Sequence, residues 1–190
     1  MPVKGPSRSK LIGALKKRSR VRYQIRPDPT PLIERLKAET QNASDRTLAI
    51  VYGTVVEDAL RHGLSSCMDH LTPDEEVALF EQGGALSDFA AKINILYAMK
   101  LMSAKSKAEL HDIREIRNAF AHALPGISFS DKEVHDVCKS LDFPRYWDTE
   151  AAISWNPRDL FITTCDYYIS SFQNWGVNSR PQLSINGSFL

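Results

Sequence analysis

The chain has 190 residues, enough for one domain with its own core, and 43% of them are apolar, so burial alone can carry the fold. Cys67, Cys138 and Cys165 are too few and too scattered for a disulfide framework, which points to a reducing, cytoplasmic setting. No apolar run approaches the roughly 18–20 residues of a membrane span, and no apolar segment after Met1 makes a secretory signal, so no membrane partner is expected.

The formal net charge of +1 hides an asymmetry. Residues 1–26 carry nine Lys or Arg and no acid, which leaves 15 basic against 23 acidic residues, a net of −8, for the rest. Residues 1–30 therefore read as a basic flexible arm, bounded by Pro2, Pro6, Pro27 and Pro29. Its cluster Lys16, Lys17, Arg18, Arg20 and Arg22 is the candidate nucleic-acid contact, since such side chains neutralise phosphates without reading sequence. A solvated tail or a transit peptide fits the same composition. An arm of this kind suits a polyanion or the acidic body itself. The body is not charged like a domain built to clamp nucleic acid.

From residue 31 to 176 the pattern is helical. Thr30 and Pro31 predict a short helix over Leu32–Glu39. A longer helix is expected from about Asp45 to Ser65, with Leu48, Val51, Tyr52, Val55, Val56, Ala59 and Leu60 on one face and a frayed end at Arg61-His62-Gly63. Ile50 lies off that face, so burial on more than one side is expected. Thr72-Pro73-Asp74-Glu75 predicts a capped helix that stops by Gly83-Gly84. Ser87-Asp88 opens the next, to about Met102, with Phe89, Ile93, Leu96, Tyr97 and a snorkelling Lys100 on its inner stripe.

Ser106 to His122 is the most telling stretch. Ser106 and Glu109 have capping-box spacing, and Leu110, Ile113, Ile116, Phe120 and Leu124 recur at a helical period before Pro125-Gly126 ends it. Ser130–Glu133 predicts a third capping box and a helix to about Leu141. Asn156-Pro157 starts a last long helix ending near Trp175-Gly176. The polar tail 177–190 follows. With no hairpin signals and no repeat, the expectation is an all-α bundle of four main helices plus short ones.

Several chemistries fail on inspection. No phosphate loop, G-x-S-x-G or zinc-protease helix is present. Cys67-x2-His70 and His135-x2-Cys138 together hold the ligand types of a structural zinc, but nothing in the sequence joins the pairs, and the expectation is no metal and no cofactor. Cys138 beside His135 is explained by helical spacing alone.

Arg117, Asn118 and His122 remain. Arg117 falls within the apolar arc, where an unpaired charge is costly. Its planar fork suits a phosphate, and a histidine near neutrality suits proton transfer. RNA cleavage without a metal needs those two functions, with Asn118 able to bond His122 or substrate. Five residues turn a helix by about 140°, so Arg117 and His122 do not share a face. They converge only through the arginine's reach, a distorted helix or a second copy. The plain structural alternative pairs Arg117 with a carboxylate, Glu57, Asp58 or Asp88, and leaves His122 interacting with the helix C-terminus.

Arg117-Asn118-x3-His122 resembles the R-x(4–6)-H motif of the HEPN superfamily. Residues 83–134 are more specifically similar to the mannitol operon repressor family. The likeness lies in Gly84-x-Leu86-Ser87-Asp88, Lys92-Ile93-x2-Leu96-Tyr97-Ala98, the Arg117–His122 block and Ser128-Phe129-Ser130-Asp131. It covers about residues 30–175 and is strongest over 83–141. It implies a helical bundle that dimerises, with the Arg–His helices at a shared cleft. It also implies two outcomes: a transcriptional or RNA-level regulator acting through protein, RNA or DNA contacts, or a metal-independent endoribonuclease of the defence or toxin type. A non-catalytic scaffold is the third possibility. The basic arm is outside what the resemblance explains.

Overall fold

The structure is a computed structural model that describes residues 30–68, 71–81, 83–123, 126–141 and 155–175. Among these residues it is all-helical: α1 (Thr30–Thr40), α2 (Asp45–Ser66), α3 (Pro73–Phe80), α4 (Phe89–Ala98), α5 (Ala104–His122), α6 (Lys132–Ser140) and α7 (Pro157–Gln173). None of these helices is long and apolar enough to cross a membrane.

The central helix is α2, which packs chiefly against α7 and α5. Leu48, Tyr52, Val56, Leu60 and Leu64 of α2 are fully buried, with Leu110, Ile113 and Phe120 of α5 and Phe161, Tyr168 and Phe172 of α7. Helix α4 lies against α5 and α2, α6 against α7 and α5, and α1 across α2 and α7. Ile50 also packs against the core, so α2 is covered on more than one side as its pattern implied.

Side chains that bond their own backbone set several helix starts. Ser44 and Asn156 cap α2 and α7, and Thr72–Glu75 forms a complete capping box at α3. Two other expected starts differ. Helix α5 begins earlier, with Ser103 as cap accepting from the Ser106 amide, and Ser106 is buried in the first turn. Glu109 closes no capping box. It accepts a 2.6 Å hydrogen bond from the buried Tyr168 hydroxyl across the α5–α7 interface. At α6 the cap is Asp131, whose carboxylate accepts from the Ser128 amide in the preceding turn, so Ser130 caps nothing.

Two helix ends also differ. Helix α2 does not fray at Arg61–Gly63. It runs to Ser66 because Gly63 is buried, and a methyl group there would lie 2.9 Å from the Trp175 ring. Helix α4 stops at Ala98, and Lys100 adopts a left-handed conformation, φ 59°. Lys100 and Tyr97 are consequently exposed, not on the inner stripe, and the buried lysine of this helix is Lys92.

The turn after α5 is tied down by charge. The Asp45 carboxylate accepts from the Phe129 amide at 3.0 Å and from Arg158 at 3.1 Å. Arg46 donates to the Ala123 carbonyl at the end of α5, 2.6 Å away. Phe129 enters the core between Phe120 and Phe161, with ring centroids 4.9 and 5.4 Å away. These contacts hold the last turn of α5 against the start of α2.

Candidate functional site: the Arg117 cluster

Arg117 stands on α5 where its stem lies directly against Gly53 of α2. The crossing is possible because α2 carries Gly53. A Cβ at Gly53 would lie 2.7 Å from both Cβ and Cγ of Arg117, so the arginine stem occupies the space of a missing side chain. The stem then directs the guanidinium one turn along α2, to Glu57, which is four residues on and on the same face. Arg117 Nη2 donates to Glu57 Oε2 at 2.5 Å.

The other Glu57 oxygen accepts from Lys92 Nζ of α4 at 2.7 Å, and the same ammonium donates to the Ser87 carbonyl at 2.9 Å. Lys92 is almost fully buried, at 3% exposure. A lysine so placed requires a charged partner, and Glu57 supplies it. One carboxylate thus joins three helices, and two cations share one anion. The cluster keeps a net positive charge of one.

Arg117 Nη1 donates to Asn118 Oδ1 at 2.9 Å, which orients the Asn118 amide N–H groups away from the guanidinium. Arg117 Nε is buried without a hydrogen-bond partner. The Arg117 side chain is nonetheless 26% exposed, so one edge of the cluster meets solvent.

His122 sits in the last turn of α5 and is exposed. Among the described residues no hydrogen bond joins it to Arg117 or Asn118; both bonds of the guanidinium go to Glu57 and Asn118. Arg117 and Asn118 therefore form one hydrogen-bonded group that does not include His122. Of the three carboxylates that the sequence offered to Arg117, Glu57 is the partner. Asp88 is the exposed cap of α4. Lys92 and Gly53 completed the site unforeseen. Their signals were present: a glycine inside a long helix marks a close approach, and Lys92 falls between the apolar Phe89 and Leu96. Lys16, Lys17, Arg18, Arg20 and Arg22 lie outside the described residues.

Among the described residues no group of three or more His, Cys, Asp or Glu lies close enough to hold an ion, and His70 is outside them. Cys67, Cys138 and Cys165 form no disulfide. Burial, with a smaller contribution from Asp112, pushes the Cys138 thiol up to about 12, so it is a poor nucleophile beside His135. Comparison with protein-family models, with curated proteins and with solved structures finds no match for this chain.

Proposed function

We propose that the chain is a HEPN-like regulatory module of the mannitol operon repressor type. On this reading it works as a cytoplasmic dimer and acts on transcription or RNA through bound nucleic acid or protein. The observation that carries the reading is the commitment of Arg117. Its guanidinium is held by Glu57 and Asn118, with Lys92 locking Glu57 from behind. A cation so fixed makes a firm, net-positive edge on the bundle, and no hydrogen bond ties His122 to it. This suits recognition better than proton transfer, which requires both groups at one phosphorus. The acid-free arm adds a second, sequence-tolerant contact for phosphates.

Salt-dependent binding tests this reading. The full chain is titrated with labelled RNA and duplex DNA, and its size is measured by light scattering. The expected result is a dimer whose affinity falls with salt. Replacing Lys16, Lys17, Arg18, Arg20 and Arg22 by glutamine should flatten the duplex-DNA slope by up to about 4.5. A monomer that binds neither RNA nor DNA, with or without the arm charges, refutes the nucleic-acid form of the proposal.

A second reading, a metal-independent endoribonuclease, is favoured by the exposed edge of Arg117 and the exposed His122 on one helix end. In a dimer, His122 would take the proton of the 2′-hydroxyl as its oxygen attacks phosphorus. The 5′-oxygen would leave with a proton from the second His122, giving a cyclic phosphate and a 5′-hydroxyl. Arg117 would have to exchange Glu57 for the phosphate.

A further inference from the structure

Residues 27–190 carry 15 basic against 23 acidic residues, yet residues 89–108 hold Lys92, Lys100, Lys105 and Lys107 and no acid. Lys92 is buried against Glu57. The other three gather where α4 turns into α5, and all three are poorly placed for stability. Lys100 follows the end of α4. Its amide donates to the Tyr97 carbonyl at 3.0 Å, and the Leu101 amide reaches back to the Leu96 carbonyl at 3.0 Å. A helix that ends this way needs a left-handed residue and favours glycine there. Lys100 takes that conformation instead, and among the described residues it is the one non-glycine with positive φ. Lys105 and Lys107 stand in the first turn of α5, which holds no acid. The unpaired amides of a helix start favour acids and disfavour cations.

The same turn carries exposed apolar surface. Tyr97 and Met99 are each 41% exposed. Lys107 Nζ lies 4.6 Å from the Tyr97 ring centroid, so cation and aromatic form one feature. Lys107, His111 and Arg114 then share a face of α5. Arg114 pairs with Glu115; even so, it and Lys107 add to burial in holding the His111 imidazole below its usual 6.5.

We propose that the α4–α5 turn is a platform for single-stranded nucleic acid. Tyr97 stacks on an unpaired base, and Lys100, Lys105 and Lys107 meet the flanking phosphates at the start of α5. Local rules broken at a cost to stability are expected where the chain has a use for them. A duplex keeps its base faces stacked and can engage only the lysines. A lipid surface would need a broader apolar face than Tyr97 and Met99 supply. The proposal rests on the nucleic-acid form of the function above and adds which form is bound and where.

Labelled oligouridine RNA and a DNA duplex are titrated with full-length wild type, Tyr97→Ala, Lys107→Gln and Lys100→Gly at several salt concentrations, and each protein is unfolded in urea. Tyr97→Ala should weaken RNA binding by about fivefold or more at every salt concentration, because a stacked base is lost, and leave duplex binding unchanged. Lys107→Gln should lower the RNA salt slope by about 0.7, one phosphate contact. Lys100→Gly should raise the urea midpoint, by relieving the left-handed lysine, and weaken RNA binding; a plain helix ending gives the first effect without the second. Wild-type RNA binding that all three variants leave unchanged overturns this inference while the broader reading stands. No RNA or duplex binding by the wild type overturns both. Phosphatidylserine vesicles bound through Tyr97, with RNA affinity insensitive to that residue, would assign the turn to a lipid surface and overturn the proposal.

Discussion

Replacing Gly53 by alanine places a methyl group where Arg117 already lies. The new Cβ would meet Arg117 Cβ and Cγ at 2.7 Å, about 1 Å inside the ~3.5–4.0 Å at which carbon atoms rest. The contact cannot be relieved by a rotamer change, because one of the two atoms is Cβ itself, fixed by the α5 backbone. Either α2 and α5 move apart, or one helix deforms locally. Tyr52 and Val56, on either side of Gly53, are fully buried and resist the first. Overpacking of this kind costs about 1–3 kcal/mol, and the strained stem also pulls the guanidinium from Glu57. Helix propensity acts the other way, favouring alanine over glycine by about 1 kcal/mol at an interior position. The two effects have opposite signs, so the sign of the measured change is decisive. Urea unfolding of Gly53→Ala should show a net loss of up to about 2 kcal/mol, the overpacking cost less the propensity gain. At this size each 1 kcal/mol shifts Tm by about 2–4 °C. A variant more stable than wild type would mean that propensity acts alone, and would refute the close crossing that places Arg117 on Glu57.

Further outcomes follow from other sites. Tyr168→Phe removes the donor to the buried Glu109 carboxylate and should lower unfolding free energy by about 1.5–3 kcal/mol; a loss below about 0.5 kcal/mol would make that bond irrelevant. Thr72→Ala opens the capping box of α3 and should weaken that helix by about 0.5–2 kcal/mol, seen as faster exchange of α3 amides with α5 amides unchanged. Burial holds the His62 imidazole below its usual value of 6.5, with Asp58 and Glu76 opposing. The unfolded chain therefore takes up this proton first, so stability present above pH 6.5 is lost as pH falls below it. His62→Gln should flatten that limb in urea unfolding at stepped pH; parallel curves would contradict the assignment.

What could be read in the chain was local. Thr72 and Asn156 announce helix starts because their side chains bond the backbone three residues on. The same rule misled at α5, where Ser103 and Ser106 both have cap chemistry and three-residue spacing. The choice between them rests on packing: Ser106 and Glu109 are drawn inward, and Glu109 is bonded by a tyrosine 59 residues away. The end of α4 carried no glycine or proline signal, since Lys100 itself takes the left-handed conformation. The oddity of Arg117 on an apolar arc was legible, and so was its need for a carboxylate. Which carboxylate was not, because the close approach at Gly53 and the third helix bearing Lys92 decide it. That Arg117 and His122 point to different sides follows from helical rotation alone.

The role of Arg117 is tested most directly by incubating labelled RNA with the full-length wild type, Arg117→Ala and His122→Ala in excess chelator, with helicity checked by circular dichroism. A module in which Arg117 is an anchored cation leaves the RNA intact in all three reactions. Cleavage by the wild type that disappears in both folded variants would contradict it and establish Arg117 and His122 as a catalytic pair.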